Sequence, residues 1–144
     1  MKLATVGYQN DTEAAFIERL KAADVAIVLD VRAVAASRKA GFSKNILAAS
    51  LAEAGIDYLH LQKLGTPKTG RDAARAGKFA VMRQIYEDHL AEEPAAQVEL
   101  VKAGEIASVR KAALLCYEAE ACECHRSIVA ERLTETLGLE VENL

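Results

Sequence analysis

The chain has no long hydrophobic run, little net charge and few cysteines, and each shortage argues against a class of protein. No apolar stretch approaches the ~18 residues that a membrane-spanning helix needs. A formal net charge of -3 gives no overall attraction to nucleic acid, although a local basic patch could still bind it. Three cysteines, an odd number, make a poor disulfide framework, so we expect reduced thiols and a cytoplasmic protein.

The composition that is present favours one folded domain. Apolar residues make up 51% of the 144 residues, which is too many for a disordered chain and enough for a substantial core. No internal repeat or low-complexity segment divides the sequence. We therefore expect a single domain over residues 1–144.

Apolar segments typical of strands alternate with segments typical of helices. The predicted strands are 3–7, 25–31, 56–61, 111–116 and 139–141, and the predicted helices are 11–23, 44–54, 79–90, 94–107 and 127–137. Asn10 and Ser43 are predicted helix caps, and the polar residues 62–78 predict a long loop. This alternation predicts a three-layer α/β/α fold with a mostly parallel sheet of about five strands.

The loops that follow the predicted strands carry many cations. Open α/β sheets bind ligands beyond the carboxyl ends of their strands, and right-handed crossovers bring those ends to one edge. The cations in these loops are Arg32, Arg38, Lys39, Lys63, Lys68, Arg71 and Arg126. Gly7 and Tyr8 follow the first strand, and the last helix offers free backbone N–H groups near His125 to Ser127. Together they predict a site for an anion, most naturally a phosphate.

The segment Cys122-Glu-Cys-His-Arg-Ser127 gathers thiols, an imidazole, a guanidinium and a hydroxyl between a strand and a helix. One hypothesis makes Cys124 a nucleophile whose pKa is lowered by the helix N-terminus and Arg126. The spacing between Cys124 and Arg126 is too short for the loop of cysteine phosphatases. The alternative is that Cys124 packs at the helix start while its neighbours fix the loop.

A metal site is a second interpretation of the same segment. Cys116, Cys122, Cys124 and His125 are ligand types that suit zinc. Their spacing matches no common zinc motif, so the sequence by itself predicts no metal ligand.

Two carboxylates lie at the ends of predicted strands. Asp30 and Glu118 are candidate general acids or bases, since each is placed where a ligand would bind. For Asp30 the alternative is an ion pair with Arg32 or Arg38 that orders the loop. Whether the two carboxylates come close depends on the strand order, which the sequence leaves open.

Several stretches together resemble the domain of unknown function 488 family, a group of small α/β proteins without a settled activity. They are Thr5–Tyr8, Leu29–Arg32 with Ser37, Arg38 and Phe42, Ala54–Tyr58, Leu64–Lys68 with Gly70 and Arg71, Leu115–Glu118, and Cys124–Ser127. The resemblance covers Thr5 to Leu133, implies an α/β/α fold and supplies no substrate. The site positions that it implies are Asp30, Arg32, Ser37, Arg38, Cys116, Glu118, Cys124, His125 and Arg126. The family pattern has a proline before its Ser-Arg pair, where this chain has Ala36.

These observations support three hypotheses of function. The first is an enzyme acting on a phosphorylated or nucleotide-like small molecule. The second is a nucleic-acid or partner-protein binding module that uses the basic segment 63–75. The third is a cysteine-based redox or metal site. The sequence identifies no cofactor, and base rates alone favour a homodimer.

In the first hypothesis each candidate residue has a role. The predicted catalytic residues are Asp30, Glu118 and Cys124. The predicted ligand-binding residues are Gly7, Tyr8, Arg32, Ser37, Arg38, Cys116, His125, Arg126 and Ser127. Arg32, Arg38 and Arg126 would hold the anion, while Asp30 or Glu118 would exchange a proton with the ligand.

Overall fold

A computed structural model describes residues 2–118 and 124–144. Its centre is a five-stranded, all-parallel sheet in the order β3-β2-β4-β1-β5. The strands are β1 (Lys2–Gly7), β2 (Ile27–Asp30), β3 (Asp57–His60), β4 (Ala112–Cys116) and β5 (Glu140–Asn143). The predicted α/β fold is thereby confirmed.

Helices cover both faces of this sheet. They are α1 (Glu13–Ala22), α2 (Lys44–Glu53), α3 (Lys68–Arg75), α4 (Phe79–Glu92), α5 (Pro94–Val109) and α6 (Arg126–Leu137). α1 and α2 contribute to one hydrophobic core, and α3 to α6 contribute to the other. None of the helices in the described ranges is both long and apolar enough to cross a membrane.

The two cores follow from the alternation of side chains along buried strands. In β4, Leu114 belongs to the core beneath α3 to α6, and its neighbour Leu115 belongs to the core beneath α1 and α2. In β2, Leu29 and Val28 divide in the same way. Strands covered on both faces need apolar residues at successive positions, which explains the uninterrupted apolar runs in the sequence.

The connections create a reversal in the middle of the sheet. From β1 the chain passes through α1 and α2 toward β3, with both helices on one face. From β3 it returns through α3 to α5 to β4, and then through α6 to β5, on the other face. The loops after β1 and β2 therefore lead to helices on one face of the sheet, whereas the loop after β4 leads to a helix on the other face. Such a reversal opens a crevice at the carboxyl ends of the strands.

The prediction of a long loop at 62–78 was wrong. Residues Gln62–Leu64 form a 3-10 turn, and Lys68–Arg75 form α3. Helix α3 is mostly polar and buries only Gly70 and Ala73 within its bounds, so it lacks the apolar stripe that predicts a helix. Gly70 is needed there, because a Cβ at this position would lie 2.3 Å from Cγ2 of Thr66.

Both predicted helix caps need correction. Thr12, not Asn10, caps α1, since its side chain accepts a hydrogen bond from the backbone N–H of Ala15 at 3.2 Å. Ser43 does occupy the residue before α2 but makes no side-chain cap there. Its hydroxyl instead accepts from the N–H of Ser37 at 3.0 Å and donates to the carbonyl of the same residue at 3.2 Å. This pairing holds the loop after β2.

Candidate functional site

A cavity of about 880 Å³ opens at the carboxyl ends of β1, β2 and β4. This size lies within the roughly 300–1,000 Å³ range of small-molecule sites. Tyr8 lines it after β1, residues 32–34 and 36–39 line it after β2, and Cys116 to Glu118 line it at and after the end of β4. The cavity therefore occupies the crevice that the reversal of the connections creates.

Cations predominate among the described side chains around this cavity. Besides Arg32, the described lining residues include the cations Arg38, Lys39, Arg71 and Arg75, and Glu118 is the one carboxylate among them. Arg38 is exposed and makes no hydrogen bond or ion pair to residues 2–118 or 124–144. The amine of Lys39 donates to the carbonyl of Gln9 at 3.2 Å, and Arg71 donates to the carbonyl of Thr66 at 2.9 Å. Neither contact neutralises the charge of the donor.

Arg32 and Asp30 form a buried ion pair. The guanidinium of Arg32 donates to both Asp30 oxygens, with Nε to Oδ1 at 2.9 Å and Nη2 to Oδ2 at 2.7 Å. Burial lowers the pKa of Arg32, but the hydrogen bonds and charge of Asp30 outweigh that effect and raise it. Arg32 also donates to the carbonyl of Phe42 at 2.7 Å and to the hydroxyl of Tyr8 at 3.1 Å. This arrangement is the loop-ordering ion pair that the sequence left open as an alternative.

The two candidate carboxylates differ in their access to the cavity. Asp30 is fully buried, bonds to Arg32 and to the hydroxyl of Tyr58, and is not part of the lining. Glu118 does line the cavity. Burial raises the pKa of Glu118 to about 7, with a further contribution from the charge of Cys116.

Two thiols and an imidazole form the floor of the cavity. Nδ1 of His125 lies 3.5 Å from Sγ of Cys124 and 3.8 Å from Sγ of Cys116. All three residues are buried and line the cavity, and Cys116 Sγ also lies 3.1 Å from Glu118 Oε2. β4 ends at Cys116 and α6 begins just after His125, so neighbouring elements bring the cluster together.

The orientation of the His125 ring is fixed by the backbone of Val31. Nε2 of His125 lies 2.6 Å from the Val31 carbonyl oxygen. Because a carbonyl only accepts, Nε2 must carry a hydrogen, and Nδ1 is the nitrogen that faces both sulfur atoms. The ring of Tyr86 on α4 packs edge-on against the imidazole, with 5.0 Å between the centroids.

In this arrangement the pKa values of the two thiols are shifted in opposite directions. Burial raises the pKa of Cys116, but hydrogen bonds from Cys124 and His125 and the charge of His125 outweigh it, so the pKa lies well below its usual value. Burial raises the pKa of Cys124, and the Cys116 sulfur raises it further. For His125, burial lowers the pKa, but Cys116 outweighs burial and raises it.

The remaining predicted residues support the site from outside the cavity or at its wall. Arg126 is 1% exposed, lies outside the lining and donates from Nη1 to the backbone carbonyl of Glu118 at 2.5 Å. The Ser127 hydroxyl donates to the carbonyl of Cys124 at 2.9 Å. The Gly7 carbonyl accepts from Arg19 at 2.8 Å, while Ser37 lines the cavity and accepts from the N–H of Lys39.

The structure brings only part of the predicted set of cations together. Arg32, Arg38, Lys39 and Arg71 reach the cavity, whereas Lys63, Lys68 and Arg126 are not in its lining. Sequence reasoning did not assign Arg75 to the anion site, although this residue lies on α3 and lines the cavity. It also missed Phe79 and Met82 from α4 as wall residues. Cys122 lies outside the described residues.

The fold and the cavity define a three-layer α/β protein with a ligand-sized site at the carboxyl edge of its parallel sheet. The family described as "Domain of unknown function DUF488" matches residues 12–133, and the chain belongs to it. The resemblance seen in the sequence is therefore confirmed. Comparisons with curated proteins and with solved structures found no match.

Proposed function

We propose that the cavity binds a phosphorylated small molecule and that the protein is an enzyme acting on it. The supporting observation is the excess of cationic side chains around a concave site of about 880 Å³, where Glu118 is the one acidic side chain among the described lining residues. A concave, partly apolar wall concentrates the field of these charges and favours an anion over a neutral ligand.

The cations that would hold the phosphate differ from those that the sequence suggested. Within the described residues, Arg38 makes no hydrogen bond or ion pair that a ligand would have to break, and the one ion pair of the exposed Arg75 is a 3.5 Å contact with Asp72. Arg32 is committed to Asp30, and Arg126 lies outside the lining. Arg38, Lys39, Arg71 and Arg75 are therefore the phosphate ligands in this proposal, and Arg32 orders the loop that carries Arg38.

Glu118 is the residue placed to exchange a proton with the bound molecule. It lines the cavity beside Cys116, whereas Asp30 has both oxygens occupied by Arg32 and Tyr58. In this proposal the bound molecule presents its phosphate to the four cations and its reacting group to Glu118. We also propose a reducing cytoplasm as the compartment, because the two described cysteines are unpaired thiols.

No specific observation favours a nucleic-acid surface on residues 63–75. Lys68 and Arg75 on α3 both pair with Asp72, at 3.0 and 3.5 Å, which offsets part of their charge. Arg71 and Arg75 also line the concave cavity. A strand of nucleic acid needs an extended run of cations along its backbone, and α3 supplies only eight residues.

Titration calorimetry with inorganic phosphate, ribose 5-phosphate and adenosine monophosphate as probes tests the anion site. We expect at least one probe to bind, and Arg38→Ala to weaken it by about tenfold or more, since a hydrogen bond to a charged group contributes about 1.5–3 kcal/mol. Lys63→Ala is the matched control, because it removes one exposed positive charge outside the lining. Equal losses in both variants, or no binding of any probe, would contradict the proposal.

A further inference from the structure

The geometry points to a zinc site formed by Cys116, Cys124 and His125, with the fourth coordination position facing the cavity. The three donor atoms, two Sγ and Nδ1, all lie within 4.8 Å of one another. Two thiolates and an imidazole are among the ligands that zinc takes in proteins. This inference goes beyond the anion site and does not depend on it.

The distances fit a single tetrahedral ion. Zinc bound at about 2.3 Å to sulfur and about 2.0 Å to nitrogen in a tetrahedral arrangement separates those two donor atoms by about 3.5 Å. The observed separations from Nδ1 of His125 are 3.5 Å to Cys124 and 3.8 Å to Cys116. These two separations are close to the tetrahedral value, and the two sulfur atoms lie within 4.8 Å of one another, so one ion could bind all three atoms after a modest adjustment of the side chains.

An independent observation concerns the other nitrogen of His125. Histidines that bind a metal typically donate their second ring N–H to a carboxylate or a backbone carbonyl, which fixes the tautomer and the ring plane. Here Nε2 donates to the carbonyl of Val31 at 2.6 Å, and that bond leaves Nδ1 as the nitrogen facing both sulfur atoms. The hydrogen-bonded partner that a metal-binding imidazole requires is already in place.

The fourth position determines what such an ion could do. The described ligands number three, and all three line the cavity, so the remaining position of a tetrahedral ion would open toward the cavity. Structural zinc sites are closed by four protein ligands, whereas catalytic sites keep one position for water or substrate. Glu118 lines the same cavity and contacts Cys116 at 3.1 Å, but it is not a member of the three-ligand cluster.

Binding of the ion releases protons and needs no other reactant. Both thiols bind as thiolates and the imidazole binds as the neutral ring, so the protons displaced from Cys116, Cys124 and His125 go to solvent. No electron is transferred, and no bond between the sulfur atoms forms or breaks.

Metal analysis of the full-length protein tests the inference. We expect elemental mass spectrometry to find about one zinc per chain in the wild type. The Cys124→Ser variant should lose nearly all of this zinc. His89→Ala and Cys122→Ser are the matched controls, and both should retain the ion. Loss of zinc from Cys122→Ser would overturn the open fourth position, and loss from His89→Ala would overturn the assigned ligand set.

A second measurement keeps the test valid if Cys124→Ser fails to fold. Wild-type protein stripped of metal and loaded with Co²⁺ should show thiolate-to-cobalt charge transfer and the intense visible bands of tetrahedral cobalt. Absence of both spectral features, together with less than stoichiometric zinc and rapid alkylation of Cys116 by iodoacetamide, would overturn the zinc site. That result would identify Cys116 as a free thiolate at the cavity floor.

Discussion

At the scale of single residues, the buried ion pair of Asp30 and Arg32 is a contact whose loss on one side should be costly. Both side chains are at least 95% buried, and the pair organises the loop after β2 through Phe42 and Tyr8. Removing one charge of a buried pair leaves the other without compensation in a medium of low polarity. The free-energy cost of removing one partner then exceeds the net contribution of the ion pair to stability.

We therefore expect Asp30→Asn, which nearly preserves the size of the side chain, to lower the free energy of unfolding by about 3–5 kcal/mol. The matched control is Asp57→Asn, because Asp57 pairs with Arg110 at a similar distance of 2.7 Å but is exposed. That control should cost about 1 kcal/mol or less. Urea unfolding measures both, and similar losses in the two variants would show that the buried pair has no special role.

The sequence could not decide between the two roles of Asp30. A carboxylate at the end of a buried strand is typical of a ligand site and also of an internal ion pair. The deciding fact is that the Arg32 side chain turns back onto Asp30, two residues earlier. It also donates to Tyr8, just after β1, and to Phe42, shortly before α2. Glu118 could be proposed from its place after β4, and it does line the cavity.

At the scale of elements, most strands and helices follow from hydrophobic pattern, whereas α3 does not. The strands β2 and β4 are buried at every position and stand out as apolar runs. Helix α3 is stabilised by its contacts with α4 and by an ion pair between Lys68 and Asp72, so its sequence shows no apolar stripe. This is why the sequence did not assign Arg75 to the wall of the site.

The start of α1 gives a prediction at the same scale. Thr12→Ala should lower the free energy of unfolding by about 1 kcal/mol, because it leaves the N–H of Ala15 without its side-chain acceptor. Asn10→Ala should change it by less than about 0.5 kcal/mol, since Asn10 is an exposed residue in the preceding turn. Thermal or urea unfolding distinguishes the two residues, and a larger loss for Asn10→Ala would restore the cap that the sequence suggested.

At the scale of the whole molecule, the strand order could not be predicted from the sequence. β4 lies between β2 and β1, although more than 80 residues separate it from either strand. Local pattern contains no information about such pairings, because they depend on which buried faces fit together. Without that order, neither the place of the cavity nor the contact of His125 with Val31 could be established.

The cluster at the cavity floor joins parts of the molecule that are distant along the chain. His125 precedes α6, bonds to the carbonyl of Val31 beyond β2 and packs against Tyr86 of α4, while Cys116 ends β4. Tyr86 in turn donates to the carbonyl of Leu64 at 2.6 Å. An ion bound at this junction would stabilise the native state by mass action, because the unfolded chain does not hold the three ligands together.

We therefore expect a chelator to lower the melting temperature of the wild-type protein. The Cys124→Ser variant should melt at a lower temperature than the wild type, and the chelator should not change its melting temperature. Adding zinc back should restore the wild-type value and leave the variant unchanged. Differential scanning calorimetry at fixed pH measures each state. Identical melting temperatures of the wild type with and without chelator would mean that packing around His125 and Tyr86, rather than a bound ion, holds this junction together.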